Sequence, residues 1–431
     1  MYKQYRAIAT VVMVLLPALL MAQFNNNTTS PYSRFALGDL QGSAFGRTVS
    51  MGGQAFGSRN SLQINIANPA SYTSTDSLAF LFEFGLNGRL SQYKNELGDF
   101  EANDVNFSYF AMSFPISRRF SGAMGLTPYS DVGYDVQVNQ ELPYSGPVRY
   151  LYFGEGSISR AFVGLAARPL KNVSVGANFY YLFGNLNRSA NITFPLNADM
   201  YGIVRTDALR LRDWGIQYGL QATLPMKKER SLTIGVTLDN QPVFTGFNSE
   251  ISFKSLVLSD ASGNRIGDAD TLSYRQEEKD KIVMPLAVGA GISFVQTNKF
   301  ELVADYAFQQ WSKATFFGEP YFFVTDRTIL SLGGEYIPDR FSIRSYASRL
   351  AYRAGVRYEN GYLLINNHQI SEVGITFGVG LPVYRSFSTV NLSAEIGRRG
   401  TTRHDLVREN YVKFNFSLNL HDFWFVKRRF D

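Results

Sequence analysis

The chain has 431 residues, 45% hydrophobic and 15% aromatic, with 37 Gly, no Cys and 18% charged residues. That composition excludes an intrinsically disordered chain and a disulfide-stapled domain. A mean hydropathy of -0.12 beside 25 Tyr and 35 Phe suits neither an ordinary soluble protein nor a helical membrane protein, which needs several apolar runs of about 20 residues.

In chain order, Lys3 and Arg6 precede the apolar stretch Ala7 to Ala22, broken by Pro17, and Gln23 follows. This reads as a secretory signal peptide over residues 1–22, with a retained anchor as the alternative. Cleavage before Gln23 removes Lys3 and Arg6, so the formal charge falls from +6 to +4. So small an excess argues weakly for nucleic-acid binding, and no nucleic-acid partner is expected.

Residues 23–77 do not alternate between apolar and polar. They hold the polar stretch Asn25 to Ser30, then Gly38, Gly42, Gly46, Gly52, Gly53 and Gly57. From residue 78 the hydrophobic period becomes two, which means strands. Val412, Phe414, Phe416, Leu418 and Leu420 oppose Lys413, Asn415, Ser417 and Asn419, and Phe300, Leu302, Ala304, Tyr306 and Phe308 oppose Glu301, Asp305 and Gln309. About fourteen such segments follow, near 78–93, 104–116, 120–140, 149–168, 173–192, 208–224, 231–243, 284–296, 299–311, 326–338, 349–359, 370–382, 387–398 and 410–421.

The connections alternate between short and long. The long ones are expected at 94–103, 141–148, 193–207, 244–283, 312–325, 360–369 and 399–409. Short turns on one rim and long loops on the other mark an outer-membrane barrel with both termini on the periplasmic side. The reading is all-β, a 14-stranded antiparallel transmembrane β-barrel over 78–421, with a large soluble adhesin as the alternative. Closure removes sheet edges, whose unpaired backbone groups lipid cannot satisfy. A barrel this wide is either open or plugged. The Gly-rich, moderately apolar residues 44–72 favour 23–77 as a plug, or hatch; a flexible tether is the alternative. Residues 422–431, with Lys427, Arg428 and Arg429, form a periplasmic tail.

The run Ser50-Met51-Gly52-Gly53-Gln54-Ala55, then Asn65-Ile66-Ala67-Asn68-Pro69-Ala70-Ser71 just before the first strand, resembles the N-terminal hatch of the FadL-type family of outer-membrane long-chain fatty-acid transporters. Pro31 to Asp39 resembles one branch of that family. The resemblance implies hatch roles for Ser50, Met51, Gly52, Gly53, Asn68, Pro69 and Ala70, and a lateral gate in the third strand at Thr127, Pro128, Tyr129 and Gly133. Pro128 lacks a ladder donor and Gly133 tolerates irregular backbone, so a bulge there is physically reasonable, although Pro128 can equally sit above the membrane.

Little else carries chemistry. His368, His404 and His421 without any Cys leave no evident metal site or thiol nucleophile, and no catalytic motif occurs, so neither an enzyme nor a cofactor is expected. His404-Asp405 reads as a solvated loop pair, and Asp260 to Asn264 as a hairpin turn. Glu83, Asp213, Asp239, Asp305, Glu335, Arg353, Arg357, Glu395 and Lys413 fall on the inner face, where buried charges need partners. Arg353 or Arg357 is the candidate for a ligand carboxylate. The function expected is passive outer-membrane uptake of hydrophobic small molecules through hatch movement and lateral release. The alternative is a non-transporting barrel subunit of a secretion or barrel-assembly complex. The expected partners are outer-membrane lipid and lipopolysaccharide, a hydrophobic ligand, and, in the alternative, other outer-membrane or periplasmic proteins of a Gram-negative cell.

Overall fold

The computed structural model describes residues 28–423 except 43, 97, 144–145, 195–200, 256–257, 260–264 and 267–268. The proposed signal peptide, nearly all of the proposed tail and the Asp260 to Asn264 turn lie outside the described residues.

Fourteen antiparallel wall strands close on themselves. They begin with β1 (Ala79–Asn95), β2 (Gly98–Pro115), β3 (Phe120–Leu142), β4 (Gly146–Leu170), β5 (Val173–Thr193) and β6 (Gly202–Met226). Next come two strands interrupted near Pro242 and Pro285: β7 as Arg230–Asp239 then Val243–Ser255, and β8 as Ala269–Val283 then Ala287–Gln296. The wall ends with β9 (Phe300–Gln309), β10 (Arg327–Tyr336), β11 (Ala351–Ile365), β12 (His368–Pro382), β13 (Thr389–Arg399) and β14 (Arg408–Phe423). Ala79 pairs with Phe423, so the first wall strand begins and the last wall strand ends on the same rim, while Tyr32 of the N-terminal segment lies toward the opposite rim, bonded to the Val407 carbonyl.

The period-two pattern sorts side chains as a membrane barrel requires. On β9, Leu302 and Tyr306 are exposed while Glu301, Val303 and Asp305 are buried, and on β10 Leu330 and Leu332 are exposed while Ile329 and Glu335 are buried. The outer face is the apolar one, the reverse of a soluble barrel.

Much of what alternation left as loop is ladder. β2 begins at Gly98, β6 at Gly202, and β7 and β8 continue as a hairpin through most of 244–283. On that rim several connections are tight turns at the ends of long strands, as at 366–367 between β11 and β12. The reason is environmental. Above the hydrocarbon layer both faces of a strand meet polar surroundings, so the pattern fades although the hydrogen bonds continue. β4 has 25 residues, which at about 3.3 Å per residue is roughly 80 Å, far beyond a membrane crossing.

The wall is thinnest between β2 and β3. These strands pair only through Phe110 to Pro115 with Ser121 to Leu126, whereas β3 and β4 pair along nearly their whole length. Above that seam, Asp39–Leu40 of the N-terminal segment pairs antiparallel with Asp131 and Ser130 of β3. The Gln41 amide donates to the Tyr129 carbonyl at 2.9 Å. Ser33 Oγ both donates to the Gly133 carbonyl and accepts from its amide, at 3.1 Å each. β3 itself carries a register shift between Pro128 and Ser130.

This pairing predicts that cysteines placed at the facing positions Leu40 and Ser130, in a chain with no native cysteine, form an intramolecular disulfide on mild oxidation, because directly opposed strand residues have Cβ atoms within bridging range. Non-reducing electrophoresis of the double variant reads the cross-link. Its absence in folded protein would contradict the register.

Candidate functional site: the occupied lumen

A fourteen-strand wall encloses more space than its own side chains fill, and residues 28–78 pack into that space. They form irregular backbone with three short 3-10 turns, Pro31–Arg34, Thr48–Met51 and Pro69–Ser74. Asn68 starts the last of these. Its side-chain oxygen accepts from the Ala70 amide at 3.1 Å while Pro69 takes the first helical position, where its missing N–H costs nothing. The Asn68 amide nitrogen donates to the Phe56 and Leu220 carbonyls at 3.0 and 3.2 Å. The Asn-Pro-Ala triplet is thus a cap and a wall contact at once, fully buried.

Wall glycines make room for both quoted motifs. A Cβ on Gly219 would stand 2.2 Å from Asn68 Oδ1, and one on Gly176 2.6 Å from the Pro69 carbonyl carbon. Gly333, Gly355 and Gly378 do the same for Met51, Gly52 and Ser50, at 2.2, 2.5 and 2.4 Å. Gly52 itself ends its turn at φ +86, a left-handed conformation that glycine adopts without strain.

Charge fixes the seat. Glu301 of β9 and Glu335 of β10 are direct cross-strand partners, an arrangement that repels. Arg47 of the N-terminal segment inserts between them, donating from Nε to Glu335 at 2.7 Å and from Nη2 to Glu301. Arg353, opposite Glu335 in register, donates to it at 2.6 Å. Burial works against the Arg47 charge, but Glu301 and Glu335 more than offset it and hold the guanidinium above its ordinary value. Asp305 accepts from the Ala55 and Phe56 amides at 2.9 and 2.8 Å, and Glu83 from the Ile64 amide at 2.8 Å. With the opposite sign, Asp39 of the segment meets Arg399 of β13 at 2.8 Å.

Both candidate ligand arginines are engaged internally. Arg353 bonds Glu335 and the Asn391 side chain at 2.6 and 2.7 Å. Arg357 bonds Glu359, Glu372 and Glu395 at 3.0, 2.6 and 2.8 Å. Glu359 and Glu372 are themselves cross-strand neighbours, so Arg357 resolves a second like-charge pair. At the gate candidates, Thr127 and Pro128 border a lumen cavity of about 150 Å³ together with Arg357, Glu372, Glu395 and Lys413. A second cavity of about 110 Å³ lies by Tyr129, Arg160, Tyr180 and Asp239. Ligand pockets usually run to about 300–1,000 Å³ with mostly apolar walls; these two are smaller, the first lined largely by charged and polar groups and the second also by Phe56, Phe244, Met284 and Ile329. Among the described residues no group of three or more His, Asp or Glu could hold a metal ion.

Sequence reasoning placed the acidic wall residues correctly but passed over their partner Arg47, together with Arg59. The signal was present: these are the only two charged residues between Ala44 and Tyr72, and a lone cation in a segment meant to be buried implies a waiting carboxylate.

Removing one partner of such a buried pair costs about 3–5 kcal/mol. Arg47→Met should therefore lower thermal stability and loosen the segment, giving steady conductance in planar bilayers where the native protein gives almost none. Gly219→Val, which drives a side chain into Asn68 and Pro69, should do the same while the folded barrel persists in gel-shift assays. Variants as silent as the native protein would show that the segment is not what closes the lumen.

Known barrels share this architecture. The toluene transporter TbuX of Ralstonia pickettii aligns over 88% of this chain and 98% of its own at 13% identity and a TM-score of 0.55. The toluene transporter TodX of Pseudomonas putida aligns over 89% and 98% at 15% identity and 0.54. A FadL homologue of Pseudomonas aeruginosa aligns over 89% and 100% at 10% identity and 0.51. At such identities the likeness is one of fold. No curated protein matches the chain by sequence. The family described as BamG matches residues 1–431. The chain therefore belongs to the BamG family, built on a FadL-type outer-membrane barrel.

Proposed function

We propose that this protein is a closed, non-conducting outer-membrane barrel that serves as a structural subunit of a larger assembly, of the barrel-assembly kind. The observation that carries this reading is the neutralised lumen: Arg47 sits between Glu301 and Glu335, Arg353 and Arg357 are held by wall carboxylates, and the two cavities beside them are small. Moving the segment would expose Glu301 and Glu335 to each other in a poorly hydrated space, a cost of several kcal/mol. A hydrocarbon entering the charged cavity by Arg357 and Glu372 would gain little to offset it. Membership of the BamG family supports the same reading. Residues 23–77 then act as a permanent plug, with Ser50 to Gly53 and Asn68 to Ala70 as its seats. The rim where β1 begins and β14 ends faces the periplasm, and outer-membrane lipid and lipopolysaccharide surround the wall.

A second reading keeps uptake of hydrophobic small molecules, with plug movement and lateral release at β3. The short β2–β3 seam favours it, because Thr127 and Pro128 stand beside both the seam and the larger cavity.

The readings part experimentally. A structural subunit is recovered from mild-detergent extracts in fixed stoichiometry with other membrane components, and liposomes containing it take up fluorescent fatty acid no faster than empty ones. Rapid uptake that changes when residues 24–70 are deleted, with the protein purifying alone, would instead establish the transporter.

A further inference from the structure

The rim on which the wall strands begin and end is unusually cationic. Its connections carry Arg118 and Arg119 after β2, Lys171 after β4, Lys227 and Lys228 after β6, and Lys299 after β8. The connection after β10, residues 337–350, is the longest on this rim and holds Arg340, Arg344 and Arg349 with Phe341, Ile343 and Tyr346; Asp339 here and Glu229 after β6 are the acidic residues of these connections. Phe341 is 75% exposed and Ile343 99% exposed. On the lipid-facing wall such exposure is expected. Phe341, however, borders the open mouth of the barrel.

That mouth is a cleft of about 510 Å³. Phe341 and Phe387 rim it, Lys299 and Arg340 stand beside them, and Arg59 to Leu62 of the N-terminal segment line it from within. Glu301 and Glu335 at its floor are already paired with Arg47 and Arg353. Arg59 bonds only neutral groups, the Gln221 and Thr73 side chains at 2.9 and 2.8 Å and the Ala70 carbonyl at 3.4 Å. Burial and then the nearby Arg168 pull its guanidinium down to about 10, as a cation with too few counter-charges behaves. Asp76 is the one carboxylate lining the cleft without an ion pair among the described residues.

Resting on the subunit reading above, we infer that this mouth is the docking site for a segment of a periplasmic protein that presents an aromatic or aliphatic side chain between carboxylates. The apolar chain would lie between Phe341 and Phe387 while the carboxylates meet Lys299, Arg340 and Arg59, the pairing of a buried anchor with a charged rim that strong interfaces use. Two other occupants fit less well. Membrane lipid cannot reach a cleft lined by the segment inside the wall. The chain's own end, residues 424–431, carries Lys427, Arg428 and Arg429 against Asp431, and like charge repels it.

The test uses the full-length protein in nanodiscs of zwitterionic lipid, titrated by fluorescence anisotropy with a labelled Asp-Phe-Asp-Glu-Leu-Glu peptide. A control peptide carries Lys in place of each acidic residue. The acidic peptide should bind saturably, weaken with salt, and lose about tenfold or more in affinity on Phe341→Ser combined with Arg340→Glu. The variant's fold is checked by gel shift. Equal binding of both peptides, or no loss in the variant, overturns the site. Binding that appears only in anionic nanodiscs assigns the cations to lipid headgroups, and binding that appears only after deletion of residues 424–431 assigns the cleft to the chain's own end; either overturns the proposal. The same variant is then purified from native membranes. A native assembly that the variant retains intact overturns the docking site but leaves the subunit reading standing, whereas native protein that purifies alone overturns the subunit reading itself.

Discussion

A charge buried inside a barrel has to find its counter-charge there, and this requirement organises the molecule. Neighbouring wall strands place glutamate opposite glutamate twice, Glu301 against Glu335 and Glu359 against Glu372. Left alone, either pair would oppose the pairing of the strands that carry it. The second pair is resolved within the wall by Arg357, whereas in the first the wall's Arg353 reaches Glu335 and Arg47 of the N-terminal segment bridges both glutamates. The N-terminal segment is therefore a part of the wall's electrostatics as much as an object lodged within it.

Backbone geometry follows from that placement. Glycines occur on the inner face where the segment presses closest, so that its backbone lies directly on the sheet at Ser50 to Gly52 and at Asn68 to Pro69. Asp305 and Glu83 then accept from segment amides that have no ladder partner of their own. Buried irregular backbone has to be hydrogen-bonded to something, and here the wall supplies acceptors at several heights. The result is a lumen in which the main charges are paired internally, which distinguishes it chemically from an apolar conduit built on the same fold.

The wall was legible in the sequence because a strand with lipid on one side and a polar lumen on the other must alternate. Val412 to Leu420 and Phe300 to Phe308 announce themselves in that way. Alternation stops where lipid stops, which is why the upper reaches of β2, β6, β7 and β8 read as loops although they are paired. The lumen was half legible. Glu335, Arg353 and Arg357 could be assigned inward from parity alone, but parity says nothing about which charge meets which. That depends on register across strands distant in sequence, and Arg47 pairs with a residue 288 positions away. The resemblance of Ser50 to Ala55 and Asn65 to Ser71 to a FadL-type hatch singled out two stretches that lie against the wall, without revealing that glycines on the facing strands make room for them.

The short rung formed by Asp39–Leu40 on β3 bears on the order in which the molecule is made. β3 has little support from β2 above Leu126, so part of its edge is completed by residues that precede β1 in the chain. A barrel closes when its last strand meets its first, here β14 on β1, and after that step a segment of some fifty residues has no route into the lumen except through a narrow end. A segment laid along β3 before closure meets no such restriction, and the sheet can then curl around it. On that order the piece synthesised first is a template for the wall, and removing it would be expected to slow or misdirect barrel formation rather than simply to leave an open pore.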